Sequence, residues 1–417
     1  LLFFVNSIVF RPFRMKLPFK IDIRDYCYNL PENRIAKYPN KERDTSRLLY
    51  YNKGNIQSYF FTDLSSLITP ESHLIFNDTK VILARLPFQK QTGAKIEIFL
   101  LEPYFPADYS ISFNSTTKVV WKCLVGNSKK WKSGCLYKEI QINNSTIVFS
   151  AETVEIRNNY RLIQFEWNNA EISFSEIISF SGITPIPPYL NREAEALDKD
   201  RYQTIYSLYE GSVAAPTAGL HFTEDVLKKL SGKHINFINI TLHVGAGTFL
   251  PVKTNEITSH EMHIEHFNIP KSGLQDLLVQ KKQIISVGTT SVRAMESLYW
   301  LGVKLKENQN QQILHFLDQW DPYNRKGELT REQSLEVVLE YMEKFKLTDL
   351  RASTKIMIIP GYKFKMTNGM LTNFHQSRST LLLLVAAFTE DNWKKIYDYA
   401  LENGYRFLSY GDSSLLL

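Results

Sequence analysis

The chain has 417 residues, 44% hydrophobic and 22% charged. That balance excludes a wholly disordered or collagen-like protein, and at about 150 residues per domain the length suggests two or three domains. Lys and Arg number 49 against 43 Asp and Glu, so a polyanionic partner is allowed but not required.

The N-terminal stretch LLFFVNSIVF is apolar, and its charges (Arg11, Arg14, Lys16) follow it. A secretory signal carries its charges first. Residues 1–20 therefore read as a leader, disordered or not native, with Met15 opening an ordinary start. A membrane-contacting segment is the alternative. Cys27, Cys123 and Cys135 form no C-x-x-C pair, which argues against a disulfide framework and a cysteine-built zinc site. A reducing cytoplasm is the default expectation. No apolar run nears the ~18 residues of a membrane span.

From Val81 to Trp167 the texture is that of strands: VILARL, AKIEIFLLE, KVVWKCLVG, CLYKEIQI, STIVFSAETVEI and YRLIQFEW. They are β-branched, aromatic and separated by turn residues, as in a small barrel or sandwich. Ser173-x-x-Glu176 then reads as a capping box, with Gly182 closing the helix. Thr223 caps EDVLKKLSG. A strand is expected over 235–244, a helix over 271–282, a strand over 284–287 and a helix over 291–300. A further helix over 332–345 puts Leu335, Val338, Met342 and Phe345 on one face. Helices alternating with strands imply parallel pairing. The expected fold is an α/β main domain interrupted by an inserted all-β barrel-like domain: 21–80 and 170–417 form the first, 81–169 the second.

Four loops carry more small and polar residues than packing needs. GSVAAPTAGLHFT (211–223) places His221 just before a helix start, where spare N–H groups attract negative charge. LHVGAGTF (242–249) leaves a strand through Gly245 and Gly247, at the kind of edge where open α/β sheets bind ligands; it lacks the third glycine of a dinucleotide fingerprint. VGTTSVRAMES (287–297) offers Thr289, Thr290, Ser291 and Arg293 at a helix start. Equally, Ser291 is a simple N-cap. The segment 360–380 interleaves Lys363, Lys365 and Arg378 with Tyr362, Phe364, Phe374 and His375. This composition suits phosphates and stacked bases, or else a solvated basic face. His260, His263 and His266 lie three apart, which is not the i, i+4 spacing of a helical zinc pair. A core or ligand-facing role is expected of them rather than a metal.

Several segments, taken together, resemble the S-adenosylmethionine:tRNA ribosyltransferase-isomerase family of queuosine biosynthesis. They include YNLPENRIAKYPNKERDTSRLL (28–49), LIFNDTKVILARL (74–86), PIPPYL (185–190), GSVAAPTAGLHFT, LHVGAGTFLPV, HEMHIEHF, VGTTSVRAMES, PGYKFK, LTNFH and GYRFLSYGDSSLL (404–416). The resemblance runs from about residue 21 to the C-terminus and implies an α/β domain with an inserted barrel. It implies transfer and isomerisation of the ribosyl group of S-adenosylmethionine onto 7-aminomethyl-7-deazaguanine at the wobble position of tRNAs with a GUN anticodon. The products would be epoxyqueuosine-tRNA, adenine and methionine. S-adenosylmethionine is then a consumed substrate, with no cofactor and no metal, in a cytoplasmic monomer that needs no membrane.

That chemistry needs proton-transfer groups near neutral pKa, which favours histidine. His221 and His243 are the leading candidates, and His375 is a third, nearer the tRNA. Asp78 and Glu261 are expected to steer or balance charge at the catalytic centre. Gly245, Gly247, Thr248, Thr289, Thr290, Ser291 and Arg293 are expected at S-adenosylmethionine; for Arg293 a helix–sheet salt bridge is the plain alternative. Arg47, Arg85, Lys363, Lys365, Asn373, His375 and Arg378 are expected at tRNA. The chain departs from the family pattern at Lys80, at Lys355 and at Ser377, which replaces a proline after LTNFH. Those departures leave room for a divergent or non-catalytic tRNA-binding paralogue. A methyltransferase is disfavoured, because no strand followed by G-x-G-x-G stands near the start.

Overall fold

The computed structural model describes residues 21–142, 145–245, 247, 252, 254–280, 282–307, 315–324 and 329–417. The leader and Thr248 lie outside the described residues.

The fold is mixed α/β. A ten-stranded sheet runs in the order Phe316–Leu317, Asp349–Thr354, Glu265–Pro270, Asn236–His243, Ser72–Asn77, Gln283–Val287, Gly369–Asn373, Ser413–Leu416, Arg47–Asn52, Asn55–Phe60. Its four middle strands, Asn236–His243 through Gly369–Asn373, are parallel. Antiparallel partners flank them on both sides. The central strand Ser72–Asn77 is buried throughout, as a strand covered on both faces must be.

The helix Thr289–Glu307 crosses this sheet and is buried along almost its whole length. Arg331–Lys344 packs beside it through Leu335, Val338 and Met342. Phe345 does not join that face: it falls at the C-cap and stays 44% exposed. The expected caps are present. Ser173 and Glu176 exchange their capping-box bonds, and Thr223 accepts from Val226 N–H.

A second, six-stranded antiparallel sheet takes the order Arg85–Gln89, Lys95–Phe105, Lys118–Gly126, Arg161–Trp167, Ser145–Ile156, Leu136–Ile142. It curls until its edge strands approach each other, giving a nearly closed barrel-like sheet. Trp121, Phe149, Phe165 and Phe174 fill it. The run VILARL is not one strand. Thr79–Val81 pairs in parallel with Tyr209–Ser212. A turn with Ala84 N–H on the Ile82 carbonyl then redirects the chain into Arg85–Gln89. This junction brings the curled sheet against the carboxyl edge of the large one. Tyr109, on the helix Tyr109–Asn114, packs its ring at a tilt against that of His243, with centroids 4.4 Å apart.

Candidate active site

The carboxyl ends of the parallel strands open into a cleft of about 800 Å³, part of it facing solvent. This is the edge where open α/β sheets bind ligands. Three loops meet there: Ala214–Ala218, Gly288–Thr290 and Thr372–Gln376, with Val244, Tyr189, Tyr202 and Ser409 closing the sides. Gly288 adopts φ +90°, which only glycine takes without strain, and so turns the strand Gln283–Val287 directly into the helix. Thr289 and Thr290 therefore stand at the helix N-terminus on the cleft wall. Thr290 Oγ1 is buried without a hydrogen-bond partner. A buried hydroxyl left unpaired is costly, and a ligand's oxygen would complete it.

Three histidines lie near this edge, and burial lowers each pKa to about 4. All are neutral at pH 7, but their surroundings differ. His221 is fully engaged. Asn373 Nδ2 donates to the carbonyls of Leu408 (2.9 Å) and Ser409 (3.3 Å), so its Oδ1 faces His221 Nε2 at 3.2 Å and can only accept. Nε2 therefore carries the proton, and Nδ1 accepts from the Ser46 hydroxyl at 2.8 Å. His221 reaches the cleft through Asn373, which lines it.

His243 bonds Thr79 Oγ1 through Nδ1 at 3.0 Å and lies under Tyr109. A Cβ at Gly211 would sit 2.5 Å from its ring, so glycine is required there. His375 lines the cleft itself. Its Nε2 lies 2.9 Å from Thr372 Oγ1. That hydroxyl donates to the Asn373 carbonyl at 3.4 Å, which makes Nε2 the donor and leaves Nδ1 as an open lone pair.

Asp78 is buried where the central strand ends, and accepts from the Thr241 hydroxyl at 2.7 Å. Burial raises its pKa to about 6. Glu261 is not near this carboxylate in character. It is exposed and ion-paired with Lys355 at 2.9 Å.

The other expected ligands separate in the same way. Gly245 follows Val244 at the cleft rim, whereas Gly247 lies against the ring of His263. Ser291 is not an N-cap: the helix has already begun, and its hydroxyl donates to the Val287 carbonyl at 2.8 Å. Arg293 faces away from the cleft. Nη1 approaches Glu265 at 2.6 Å with both side chains buried, and Nε donates to the Ile356 carbonyl. It is the helix–sheet salt bridge.

The residues expected at tRNA do not form one patch. Arg47 stacks over Tyr405 at 3.9 Å. Arg85 pairs with Glu97 at 2.8 Å on the curled sheet. Asn373 and His375 belong to the cleft. Lys363 is exposed and Lys365 half-buried, but the aromatics between them turn inward. Tyr362 and Phe374 are buried, and Phe364 packs on the core. No stacking platform results. Glu296 organises this loop, accepting from the Tyr362 hydroxyl and from the N–H groups of Lys365, Met366 and Thr367. Arg378 takes φ +57° beside Ser379, which lines the cleft.

His263 and His266 are exposed rather than core. Among the described residues no group of three or more His, Cys, Asp or Glu could hold a metal. No described helix is long and apolar enough to cross a membrane.

The three departures from the family pattern all have partners in the chain. Lys80 pairs with Glu210 at 3.0 Å, Lys355 with Glu261, and Ser377 Oγ accepts from Tyr28 N–H at 3.2 Å. The Tyr28 hydroxyl donates to the His375 carbonyl, and Arg378 N–H to that of Tyr26. The loop that lost its proline is tied down by hydrogen bonds instead.

Such a cleft, lined by a neutral imidazole, an unpaired hydroxyl and a helix N-terminus, defines a site suited to a small polar ligand and proton transfer. The chain belongs to the queuosine biosynthesis protein family, whose model matches residues 23–416. It is 36% identical over 402 residues to the S-adenosylmethionine:tRNA ribosyltransferase-isomerase of Sulfurihydrogenibium sp. strain YO3AOP1, covering 95% of this chain and 99% of the relative. It is 35% identical over 407 residues to that of Halothermothrix orenii, with the same coverage. The crystal structure of S-adenosylmethionine tRNA ribosyltransferase from Thermotoga maritima aligns over 94% of this chain and 100% of its own, at 25% identity and a TM-score of 0.45. That superposition is too loose to add to the sequence relationship.

Proposed function

We propose that the chain is an S-adenosylmethionine:tRNA ribosyltransferase-isomerase. It transfers and isomerises the ribosyl group of S-adenosylmethionine onto 7-aminomethyl-7-deazaguanine at the wobble position of GUN-anticodon tRNA. The products are epoxyqueuosine-tRNA, adenine and methionine. In this reading S-adenosylmethionine is consumed, no resident cofactor or metal takes part, and the chain acts as a cytoplasmic monomer. Segments 21–80 and 170–417 form its α/β unit, with 81–169 as the barrel insert. Family membership supports the activity. The observation that supports particular residues is that one cleft is lined by both His375 and Thr290, whose hydroxyl is buried without a partner.

The sulfonium acidifies the adjacent C5′–H, so a neutral base must accept that proton. His375 fills that role from the cleft wall as a neutral imidazole, although burial holds its pKa at about 4, below the near-neutral value expected from the sequence. Adenine leaves with the glycosidic electron pair and takes up the proton that His375 accepted, and methionine leaves as a neutral thioether with the electron pair of the C5′–S bond. The acceptor amine must attack unprotonated, and a site poor in water protects the open-chain sugar. Thr289, Thr290 and the helix N-terminus hold the methionine carboxylate. Tyr189, on the cleft side, offers an aromatic ring to the sulfonium. His221 fixes Asn373 and acts through it. Asp78 and His243 stand behind the strand ends and set the charge there.

The test is one incubation with S-adenosylmethionine and a GUN-anticodon tRNA carrying 7-aminomethyl-7-deazaguanine. Adenine release with a wobble nucleoside of epoxyqueuosine mass is the expected result. Bound tRNA without adenine would replace this reading with a binding paralogue. Release of S-adenosylhomocysteine would replace it with a methyltransferase.

A further inference from the structure

Beside His221 lies a second and smaller cavity, partly open to solvent, lined by Asn40, Arg43, Arg201, Ser409, Tyr410 and Gly411 among others; Ser409 also lines the main cleft. The smaller cavity shares Pro39 and Asn40 with an open groove of about 1220 Å³ floored by residues 32–40 and edged by Arg406. Three arginines from distant parts of the chain therefore meet around one short segment.

Each guanidinium is held by neutral acceptors. Arg43 donates to the carbonyls of Leu220 (3.1 Å) and Asp200 (2.8 Å). Arg201 donates to those of Lys41 (2.9 Å) and Asn40 (2.7 Å). Arg406 donates to Asn40 Oδ1 and the Tyr38 carbonyl. These bonds fix the planes of the forks but cancel no charge.

None of the three forms an ion pair with a carboxylate among the described residues. The acids nearby are committed elsewhere. Asp198 takes both forks of Arg192 and the Tyr410 hydroxyl. Asp44 takes the Thr223 hydroxyl. Asp412, whose charge reaches Arg406, is bonded to the backbone N–H groups of Arg47 and Arg406. Asp200 gives its carbonyl to Arg43, and its exposed carboxylate attracts that guanidinium only from a distance. Arg201 Nε is buried with no partner at all. Burial, then the charge of Arg201, holds the Arg43 pKa below its usual value. Half-buried cations with no carboxylate in ion-pair contact, offset only by the more distant charges of Asp412 on Arg406 and Asp200 on Arg43, are unfavourable alone. A planar fork is the geometry that takes phosphate oxygens in pairs.

We propose that Arg43, Arg201 and Arg406 form a phosphate-binding cluster that takes a backbone phosphodiester of the tRNA as the strand passes along the groove at residues 32–40. The proposal rests on the reading of the chain as a tRNA-modifying enzyme. It places the polyanion beside His221, next to the small-molecule cleft, with which the smaller cavity shares Ser409. One wall thus serves both substrates.

The test is tRNA affinity of the full chain against salt concentration, for the wild type, Arg201→Gln and Arg406→Gln. Binding of S-adenosylmethionine without tRNA is measured in parallel. Each substitution is expected to weaken tRNA binding about tenfold at low salt and to reduce the log–log salt slope by about 0.7. S-adenosylmethionine affinity should stay within about twofold. Wild-type tRNA affinity and slope in both folded variants would overturn the proposal alone. Loss of S-adenosylmethionine affinity with tRNA binding intact would overturn it in favour of the methionine carboxylate. A wild type that binds no tRNA would overturn the functional reading as well. Should Arg201→Gln fail to fold, Arg406→Gln and Arg43→Lys decide by the same readouts.

Discussion

Arg293→Met separates two readings of the residue that look alike in the sequence. In the fold it leaves Glu265, only 3% exposed, without its cation, and the Ile356 carbonyl without its donor. Breaking a buried pair from one side costs about 3–5 kcal/mol. The contact here is a close charge approach with Nη2 left unpartnered, so about 3 kcal/mol is the fitting figure. That is about two powers of ten in the folding equilibrium, and a large share of a typical total of about 5–15 kcal/mol. Urea unfolding with Arg293→Met, Glu265→Met and the double variant forms the assay. The double variant should recover most of the loss, because it removes both charges from the interior. At a temperature where all variants are folded, KM for S-adenosylmethionine should remain within about twofold. Unchanged stability with a tenfold higher KM would refute the salt-bridge assignment and return Arg293 to the ligand.

His375→Gln should keep the fold and lower turnover by about a hundredfold or more, the usual reach of a positioned general base; single-turnover adenine release checks it, and a loss of only a few-fold removes His375 from that role. Thr290→Val keeps shape but deletes the unpaired hydroxyl, so stability should hold or rise while S-adenosylmethionine binding falls about five- to tenfold; calorimetric titration decides, and unchanged affinity places the methionine carboxylate elsewhere. His221, His243 and His375 have pKa values of about 4 in the fold against 6.5 unfolded. The unfolded chain therefore binds more protons between those limits, and their stabilising contribution is full above pH 6.5 and lost as pH falls to about 4. Asp78 has the opposite sign, since its folded pKa of about 6 exceeds 3.8: what it contributes is present below 3.8 and lost as pH rises through about 6. Urea midpoints between pH 4.5 and 6 should rise with pH with a slope of up to about 3 kcal/mol per unit, and should rise more steeply in Asp78→Asn. A flat profile would mean that these imidazoles are not buried neutral.

What was legible in the sequence was what neighbouring residues decide. The caps at Ser173 and Thr223, the strand ends at Val244 and Val287, and the glycine that turns strand into helix at Gly288 all depend on residues within one turn of themselves. So did the cleft loops, because small residues mark where backbone meets a ligand. What was not legible depends on partners far along the chain. Nothing near Arg293 announces Glu265, and nothing near His243 announces Tyr109, which arrives from the other sheet. The loop 360–367 is the sharpest case. Its alternating lysines and aromatics suit a nucleic-acid face, and periodicity cannot say which set points outward.

Glu296 decides that question from sixty-odd residues upstream. A carboxylate buried in a helix must find several donors, and the available ones are the Tyr362 hydroxyl and three successive N–H groups of that loop. Satisfying it turns Tyr362 inward, where Trp300 Nε1 also donates to its hydroxyl at 2.8 Å. The loop is thereby spent on the core. The same reasoning explains why Arg43, Arg201 and Arg406 do not stand out in the sequence. They are scattered in sequence, each looks like an ordinary surface arginine, and their common property is the lack of an ion-pair contact with a carboxylate among the described residues. A committed carboxylate closes a site, as at Arg293, and an uncommitted cation opens one. Partners that lie across the fold, rather than residue type, separate the two.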